Sequence, residues 1–248
     1  MITLQLIGIG TGNPDHLTLQ AVKALNAADL ILIPHKGDEK ADLAQLRQDI
    51  CADVLTRDVE IAEFTLPVRD PVITDYIDRV NHWHDAIADC WMTEINARPG
   101  VQNVALLVWG DPSLYDSTLR IAERVSKRVD LQLNVVPGIT SMQGLTAAHQ
   151  IPLNALGGAF QVTTGRQLRD HGWPADADRL VIMLDGHCAF QTLEPEGIHI
   201  WWGGFVGMPN EITISGPLTE VAQKITETRQ RAKDDHGWIM DIYILERG

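Results

Sequence analysis

The stretch TLQLIGIGTGNP at residues 3–14 decides the fold class. Thr3 to Ile9 is rich in leucine and β-branched residues, the composition of a buried strand, and it runs into Gly8, Gly10 and Gly12, where a strand-to-loop exit needs tight turns. Beyond it, Leu17, Ala21, Val22, Ala24, Leu25 and Ala28 recur on one helical face. Asp29 to Ile33 then returns as a second strand that stops at Pro34. A strand, a helix and a second strand in this order make a βαβ unit, and the chain begins at a sheet.

Working outward, Asp70-Pro71 reads as an N-cap with proline at the first helical position. Apolar residues from Val72 through Ile77, Trp83, Ile87 and Trp91 to Ile95 predict a long amphipathic helix ending near Arg98-Pro99-Gly100. Val104 to Trp109 reads as a strand, Ser113 to Val129 as a helix, Leu131 to Val136 as a strand and Ile139 to His149 as a helix. This alternation implies a mostly parallel sheet covered by helices. Pro152, Gly157 and Gly158 then punctuate the chain, which predicts an N-terminal α/β domain over 1–152 and a smaller C-terminal one over 158–248. In the latter, strands are expected at 159–163, 180–184, 198–202, 211–215 and 238–245, with a helix from Leu218 to about Arg231, so its sheet is mixed. The fold class is α/β in two domains.

The 248 residues, 45% of them apolar, suffice for a substantial core. With 33 acidic against 20 basic residues the formal net charge is -13, which repels phosphate backbones and anionic lipid, so no nucleic acid and no membrane is expected as a partner. Cys51, Cys90 and Cys188 lie far apart with no CxxC pair, the pattern of reduced thiols in a cytoplasm. The start lacks the basic character of a signal peptide, and the apolar runs fall short of the ~20 residues of a membrane helix.

Three glycine-bearing loops follow strands: Gly8 to Gly12, Gly110-Asp111-Pro112-Ser113-Leu114-Tyr115, and Pro137-Gly138-Ile139-Thr140-Ser141. The first is not a dinucleotide fingerprint. Its third glycine would fall at Asn13, and the second strand ends at Pro34-His35-Lys36 rather than at a ribose-binding acid. In the second, Asp111 offers a carboxylate at a strand's carboxyl end, where open α/β sheets bind ligands, and Pro112 is expected to start the next helix. Each loop singly is also an ordinary capping arrangement.

In this order the loops resemble the tetrapyrrole methylase family, which uses S-adenosylmethionine to methylate carbon positions of uroporphyrinogen and the precorrins. The matching segments are 6–33, GDPSLY at 110–115 and VVPGITSMQGLTAAHQIPL at 135–153, with LVIMLDG at 180–186. Within the family, IGIGTGNPDHLTLQA, PHKG at 34–37 and LVWGDPSLYDSTLRI at 107–121 are most similar to the branch that methylates precorrin-5 at C1 with loss of acetate. The resemblance implies two α/β domains with cofactor and substrate in a trough at their interface, and a homodimer. Carried over by position, cofactor contacts fall at Thr11, Trp109, Gly110, Asp111, Leu114, Thr140, Ser141 and Leu184, with Gly203 and Gly204 completing the site. Relatives have proline at Thr11, glycine at Trp109 and methionine at Leu184. Alternatives are a precorrin methylase of different regiochemistry (C11 or C17) and a non-catalytic tetrapyrrole-binding relative.

Methyl transfer from a sulfonium to carbon is an in-line displacement in which the charge disappears as the bond forms. Alignment alone can supply about 7–11 kcal/mol, so the absence of a nucleophile triad or zinc motif is expected. Loss of an acetyl group asks for more: water must attack its carbonyl while electrons leave into the ring carbon. That needs a general base and a donor for the developing oxyanion. His35, directly after a predicted strand, is the candidate base, with Lys36, Tyr115 or a backbone amide as donor. Asp15 and Asp116 are rival bases, and an exposed loop is the other reading of His35-Lys36. Lys36, Arg69 and Arg166 are candidates for the substrate's carboxylates, against surface pairing with the abundant acids. No metal is expected: His82 and His84 lie about 200° apart on a helix. Trp201 and Trp202, on a strand, must face opposite ways.

Overall fold

A computed structural model describes residues 1–35 and 41–248. The chain divides into two units, Met1–Ile139 and Thr140–Gly248. The division falls earlier than the boundary near 152 that the glycines suggested, because the helix after residue 140 packs with the second unit: Leu145 is buried there among Val181, Val206 and Ile244.

In the first unit, β1 (Ile2–Gly8), β2 (Leu30–His35), β3 (Glu60–Thr65), β4 (Asn103–Val108) and β5 (Leu131–Val136) form one sheet. Its order is β3-β2-β4-β1-β5 and every pairing is parallel. The helices are α1 (Leu19–Ala27), α2 (Ala41–Val54), α3 (Tyr76–Asn96) and α4 (Thr118–Ser126). Alternate strand residues serve the two faces. Leu4, Leu6, Leu32 and Leu106 bury against Trp91 of α3 and Ile121 of α4, while Ile7, Ile31, Ile33 and Leu107 bury against Leu25 of α1 and Ile50 of α2. Cover on both sides explains why the central strands β1, β2 and β4 read as near-continuous apolar runs.

Three expectations need correction. The long helix starts at Tyr76, not Pro71: Asp75 caps it by accepting from Asp78 N, while Asp70 spends its side chain on a turn with Val72 N at 2.9 Å. Likewise α4 starts at Thr118, and residues 111–117 are loop, so Pro112 does not open a helix. In both places an Asp-Pro pair carries the cap signature, yet the aspartate closes a local Asx turn instead. Finally, β2 passes through Pro34 to His35. Its ladder with β4 ends at Leu32↔Leu106, so only the β3 side stays paired there and the missing proline N–H costs no ladder bond.

The second unit holds α5 (Ser141–His149), β6 (Gln161–Thr164), α6 (Gly165–His171), β7 (Arg179–Met183), β8 (Ile198–Gly204), β9 (Ile212–Pro217), α7 (Leu218–His236) and β10 (Asp241–Arg247). Its sheet runs β6-β7-β10-β8-β9, with β6 and β7 parallel and the remaining pairs antiparallel, as a mixed sheet should. Trp202 lies in the core with Tyr243 and Ile200, whereas Trp201 packs beside Val181 and Ile244, on the opposite face of β8.

Candidate active site

In the first unit, β4, β1 and β5 are neighbours. The loops at their carboxyl ends therefore meet, and they do so backbone to backbone. Gly10 N donates to Gly110 O at 3.3 Å and Gly110 N to Gly10 O at 2.8 Å. A Cβ on Gly8 would lie 2.6 Å from Gly138 N, and one on Gly138 would lie 2.0 Å from Gly110 O. Only glycine permits this approach.

Asp111 ties the same loops through its side chain. Oδ1 accepts from Ser113 N at 2.8 Å and Ser113 Oγ at 2.5 Å, and Oδ2 accepts from Gly138 N at 2.9 Å. Burial works to raise this carboxyl, but the hydrogen bonds from Ser113 and Gly138 outweigh it and hold the group below its ordinary range, so it is ionised at neutral pH. Of the other first-unit candidates, Trp109 and Leu114 are half-buried beside this loop. Thr11 is buried and its hydroxyl is engaged with a ring nitrogen of His16 at 2.9 Å. Tyr115 is 45% exposed and held at φ 50°, and burial of the phenol pushes its ionisation up, so it remains a donor at neutral pH.

His35 is the last residue of β2, half-buried, with its backbone carbonyl accepting from Leu66 N at 2.9 Å. Lys36 lies outside the described residues. Asp15 is exposed in a short 3₁₀ turn over Pro14–His16. Asp116 caps the entry to α4, its Oδ1 accepting from Thr118 N at 2.6 Å and Thr118 Oγ1 at 2.5 Å. The Arg69 guanidinium stacks over Trp83, 4.5 Å from the ring centroid. Sequence reading missed Arg47, which lines a cavity at the carboxyl ends of β2 and β4; no helix was foreseen over residues 41–54, so nothing placed an arginine there.

In the second unit, Thr140 caps α5 in a reciprocal box with Gln143, and Ser141 opens the helix. Leu184 follows β7 at φ 54° and is 66% exposed, an arrangement a leucine adopts only when its surroundings enforce it. The next residue is anchored by its side chain. Buried Asp185 accepts from His187 N at 3.0 Å, Ala189 N at 2.6 Å and the Tyr243 hydroxyl at 2.6 Å. Arg229 adds a bond to Asp185 O at 3.1 Å while pairing with Asp241 at 2.9 Å. A Cβ on Gly165 would strike Asp185 at 2.3 Å. Gly203 and Gly204 are buried, and a Cβ on Gly203 would meet Val206 at 2.6 Å and Leu145 at 2.7 Å, so this glycine serves close packing. Arg166 is exposed in α6. Among the described residues no group of His, Cys, Asp or Glu is placed to hold a metal ion, and no helix is long and apolar enough to cross a membrane. His84 is buried with neither ring nitrogen bonded to a described residue, and burial first, then the charges of Arg124, Arg120 and Arg69, push its ionisation down.

Residues 3–222 match the family model described as tetrapyrrole (corrin/porphyrin) methylases. The whole chain is 47% identical to precorrin-6A synthase [deacetylating] of Sinorhizobium sp., covering 96% of that protein. Among solved structures, a cobalamin-synthesis-related protein of Corynebacterium diphtheriae is 40% identical over 100% of this chain and 99% of that one, with a TM-score of 0.85. A uroporphyrin-III C-methyltransferase of Thermus thermophilus, solved with S-adenosylhomocysteine, shares the fold at a TM-score of 0.60 and 21% identity, covering 98% of this chain and 92% of its own.

Proposed function

This chain belongs to the tetrapyrrole (corrin/porphyrin) methylase family, and from that membership we propose that it is the deacetylating precorrin-5 C1-methyltransferase of cobalamin biosynthesis. It transfers a methyl group from S-adenosylmethionine to C1 of precorrin-5 and releases acetate, giving precorrin-6A. The observation that carries this reading is the 47% identity with the deacetylating enzyme, which extends over the whole chain.

The residues at the first unit's strand ends suit such a cofactor: the ionised Asp111 carboxylate and the half-buried Trp109 indole are groups that favour a cation nearby. S-adenosylmethionine, when bound, supplies a methyl group on a positively charged sulfur. The chain's own part is to hold and align. We assign cofactor contact to the loop residues Thr11, Trp109, Gly110, Asp111 and Leu114 of the first unit, and to Thr140, Ser141, Leu184, Gly203 and Gly204 of the second. For Thr11 that contact is through the backbone, since its hydroxyl is spent on His16.

In the deacetylation, His35 takes a proton from water as the water oxygen bonds to the acetyl carbonyl carbon. The bond from that carbon to the ring then breaks, its electron pair stays on the ring carbon, and acetate leaves. Tyr115 or Lys36 donates to the developing oxyanion. The ring carbon is left nucleophilic for methylation. The same reading makes the working enzyme a cytoplasmic homodimer. Leu133 and Val135, 40% and 42% exposed on the edge strand β5, support a partner at that edge, and sedimentation of the purified chain tests it.

The deciding experiment incubates purified protein with precorrin-5 and S-adenosylmethionine and quantifies acetate and methylated corrinoid separately. Equimolar formation of both is expected. Methylated product without acetate would assign the chain to another methylation step of the pathway.

A further inference from the structure

A cavity of about 210 Å³ lies within the first unit, lined by Pro34, adjacent in the chain to His35, and by Trp109, adjacent to Gly110. Most of its wall is carbon, from Leu43, Phe64, Trp83, Ile87, Trp91 and Ile121. Among the described residues one cation, Arg47, and one carboxylate, Asp116, also line it. Arg47 donates Nε–H to Leu107 O at 3.1 Å and Nη1–H to Leu43 O at 2.9 Å, which pins the guanidinium, and Nη2 bonds to no described residue. Burial lowers its ionisation to about 10, with nearby Asp116 opposing the fall, so the group stays charged at neutral pH. Asp116 forms no ion pair with it among the described residues, its Oδ1 being committed to Thr118. The wall also contains the Trp91 indole, whose buried N–H has no acceptor among the described residues.

Among the described residues the pinned cation forms no ion pair, and with Asp116 Oδ1 engaged by Thr118 the Arg47 Nη2 and the Trp91 N–H remain unfilled donors at this wall. Desolvating a cation is unfavourable unless an anion or several acceptors compensate it. The volume is below the roughly 300–1,000 Å³ of pockets that engulf a drug-sized ligand, so the cavity fits a fragment and not a macrocycle. We propose that it binds a carboxylate on a short apolar stem, with Arg47 as the charge-assisted donor and the carbon walls around the stem. Resting on the deacetylating reading, two sources share this chemistry: the acetate released in the reaction, and a carboxyalkyl arm of the macrocycle.

The test titrates sodium acetate and sodium propionate into the full chain by calorimetry at fixed ionic strength, with chloride as control, and titrates S-adenosylhomocysteine into the same samples. Wild-type protein should bind both carboxylates above the chloride background. Arg47→Met should weaken that binding at least tenfold and Arg47→Lys should restore part of it. Because Arg47 also tethers α2 to β4, Leu43→Trp provides a second variant that fills the cavity and keeps the cation; it too should weaken binding at least tenfold. S-adenosylhomocysteine affinity should stay within twofold in all of them. In turnover, acetate competing with precorrin-5, with a raised KM in Arg47→Met, identifies the macrocycle's arm. Non-competitive inhibition with a changed kcat and unchanged KM identifies released acetate. No carboxylate binding by wild-type protein, or equal binding by Arg47→Met and Leu43→Trp, overturns the proposal. Loss of S-adenosylhomocysteine binding by wild-type protein would count against the methyltransferase reading instead.

Discussion

Gly138 donates its backbone N–H to Asp111 Oδ2 at 2.9 Å, a bond that joins the loop after β5 to the loop after β4 across 27 positions of the chain. The second oxygen of the same carboxylate holds Ser113. Asp111 thus acts first on its own chain, fixing two loops against each other. Asp111→Ala leaves the Gly138 amide without its acceptor, a loss of roughly 1–3 kcal/mol for a charge-assisted bond. S-adenosylhomocysteine affinity should fall about tenfold or more, measured by calorimetry, together with the unfolding midpoint. The carboxyl is held below its ordinary value in the folded chain, so its contribution is fully present above the ordinary carboxylate range and is lost as pH falls through the lowered value. The stability gap between wild type and Asp111→Asn should therefore close on acidification; a gap constant between neutral and acid pH would exclude the charge as its source.

Gly138→Ala tests the loop packing by itself. The added Cβ would sit 2.0 Å from Gly110 O and 2.8 Å from Gly8, both backbone, with no flexible side chain to move aside. The loops must separate, and a midpoint fall of roughly 2–4 °C accompanies each kcal/mol lost in a chain of this size. Thermal unfolding should drop by several degrees and S-adenosylhomocysteine binding should be lost. Wild-type binding by the variant would show that the three loops do not act as one unit.

How far this geometry was legible in the sequence depended on whether a signal was local. β1 and β4 are buried on both faces, so composition alone marked them; β5, an exposed edge strand, was marked by its apolar Leu131, Leu133, Val135 and Val136, and α5 carries its cap at Thr140 in plain view. β3 was not seen, because Glu60–Thr65 buries only Ala62 and Phe64 and exposes both glutamates, as an edge strand can. α2 was missed for want of a clear apolar stripe, and Arg47 went with it. Asp111 was legible as a special residue but not as the partner of Gly138, since no spacing rule reports which strands become neighbours. The Asp185 network was hidden for the same reason, its phenol donor lying 58 positions away.

Tyr243→Phe probes that network. The hydroxyl donates to Asp185 Oδ2 at 2.6 Å inside the second unit's core, and burial, followed by the Asp185 charge, pushes its ionisation far up, so it stays a donor at any accessible pH. Removing it withdraws one bond from a buried carboxylate and should cost about 1–3 kcal/mol. Because Asp185 directly follows Leu184, which sits at φ 54° in the assigned cofactor site, S-adenosylhomocysteine affinity should also weaken, by about three- to tenfold. A variant that loses stability but binds as wild type would restrict the network to the core.

His35 separates the two halves of the chemistry. It ends β2 with its backbone fixed to Leu66, and it lies next to Pro34, which lines the cavity of Arg47. A positioned general base contributes about 10²–10⁴-fold, so His35→Ala should slow acetate release by that order while S-adenosylhomocysteine binding stays within twofold. The ring carbon becomes nucleophilic only after the acetyl carbon has left, so methylated product should fall in step with acetate. Asp15→Ala and Asp116→Ala serve as comparators: Asp15 is exposed, and Asp116 is committed to Thr118, so each should retain most of the acetate rate. Wild-type rates for both products in His35→Ala would remove it as the base, and a collapse confined to Asp15→Ala or Asp116→Ala would transfer the role to that carboxylate.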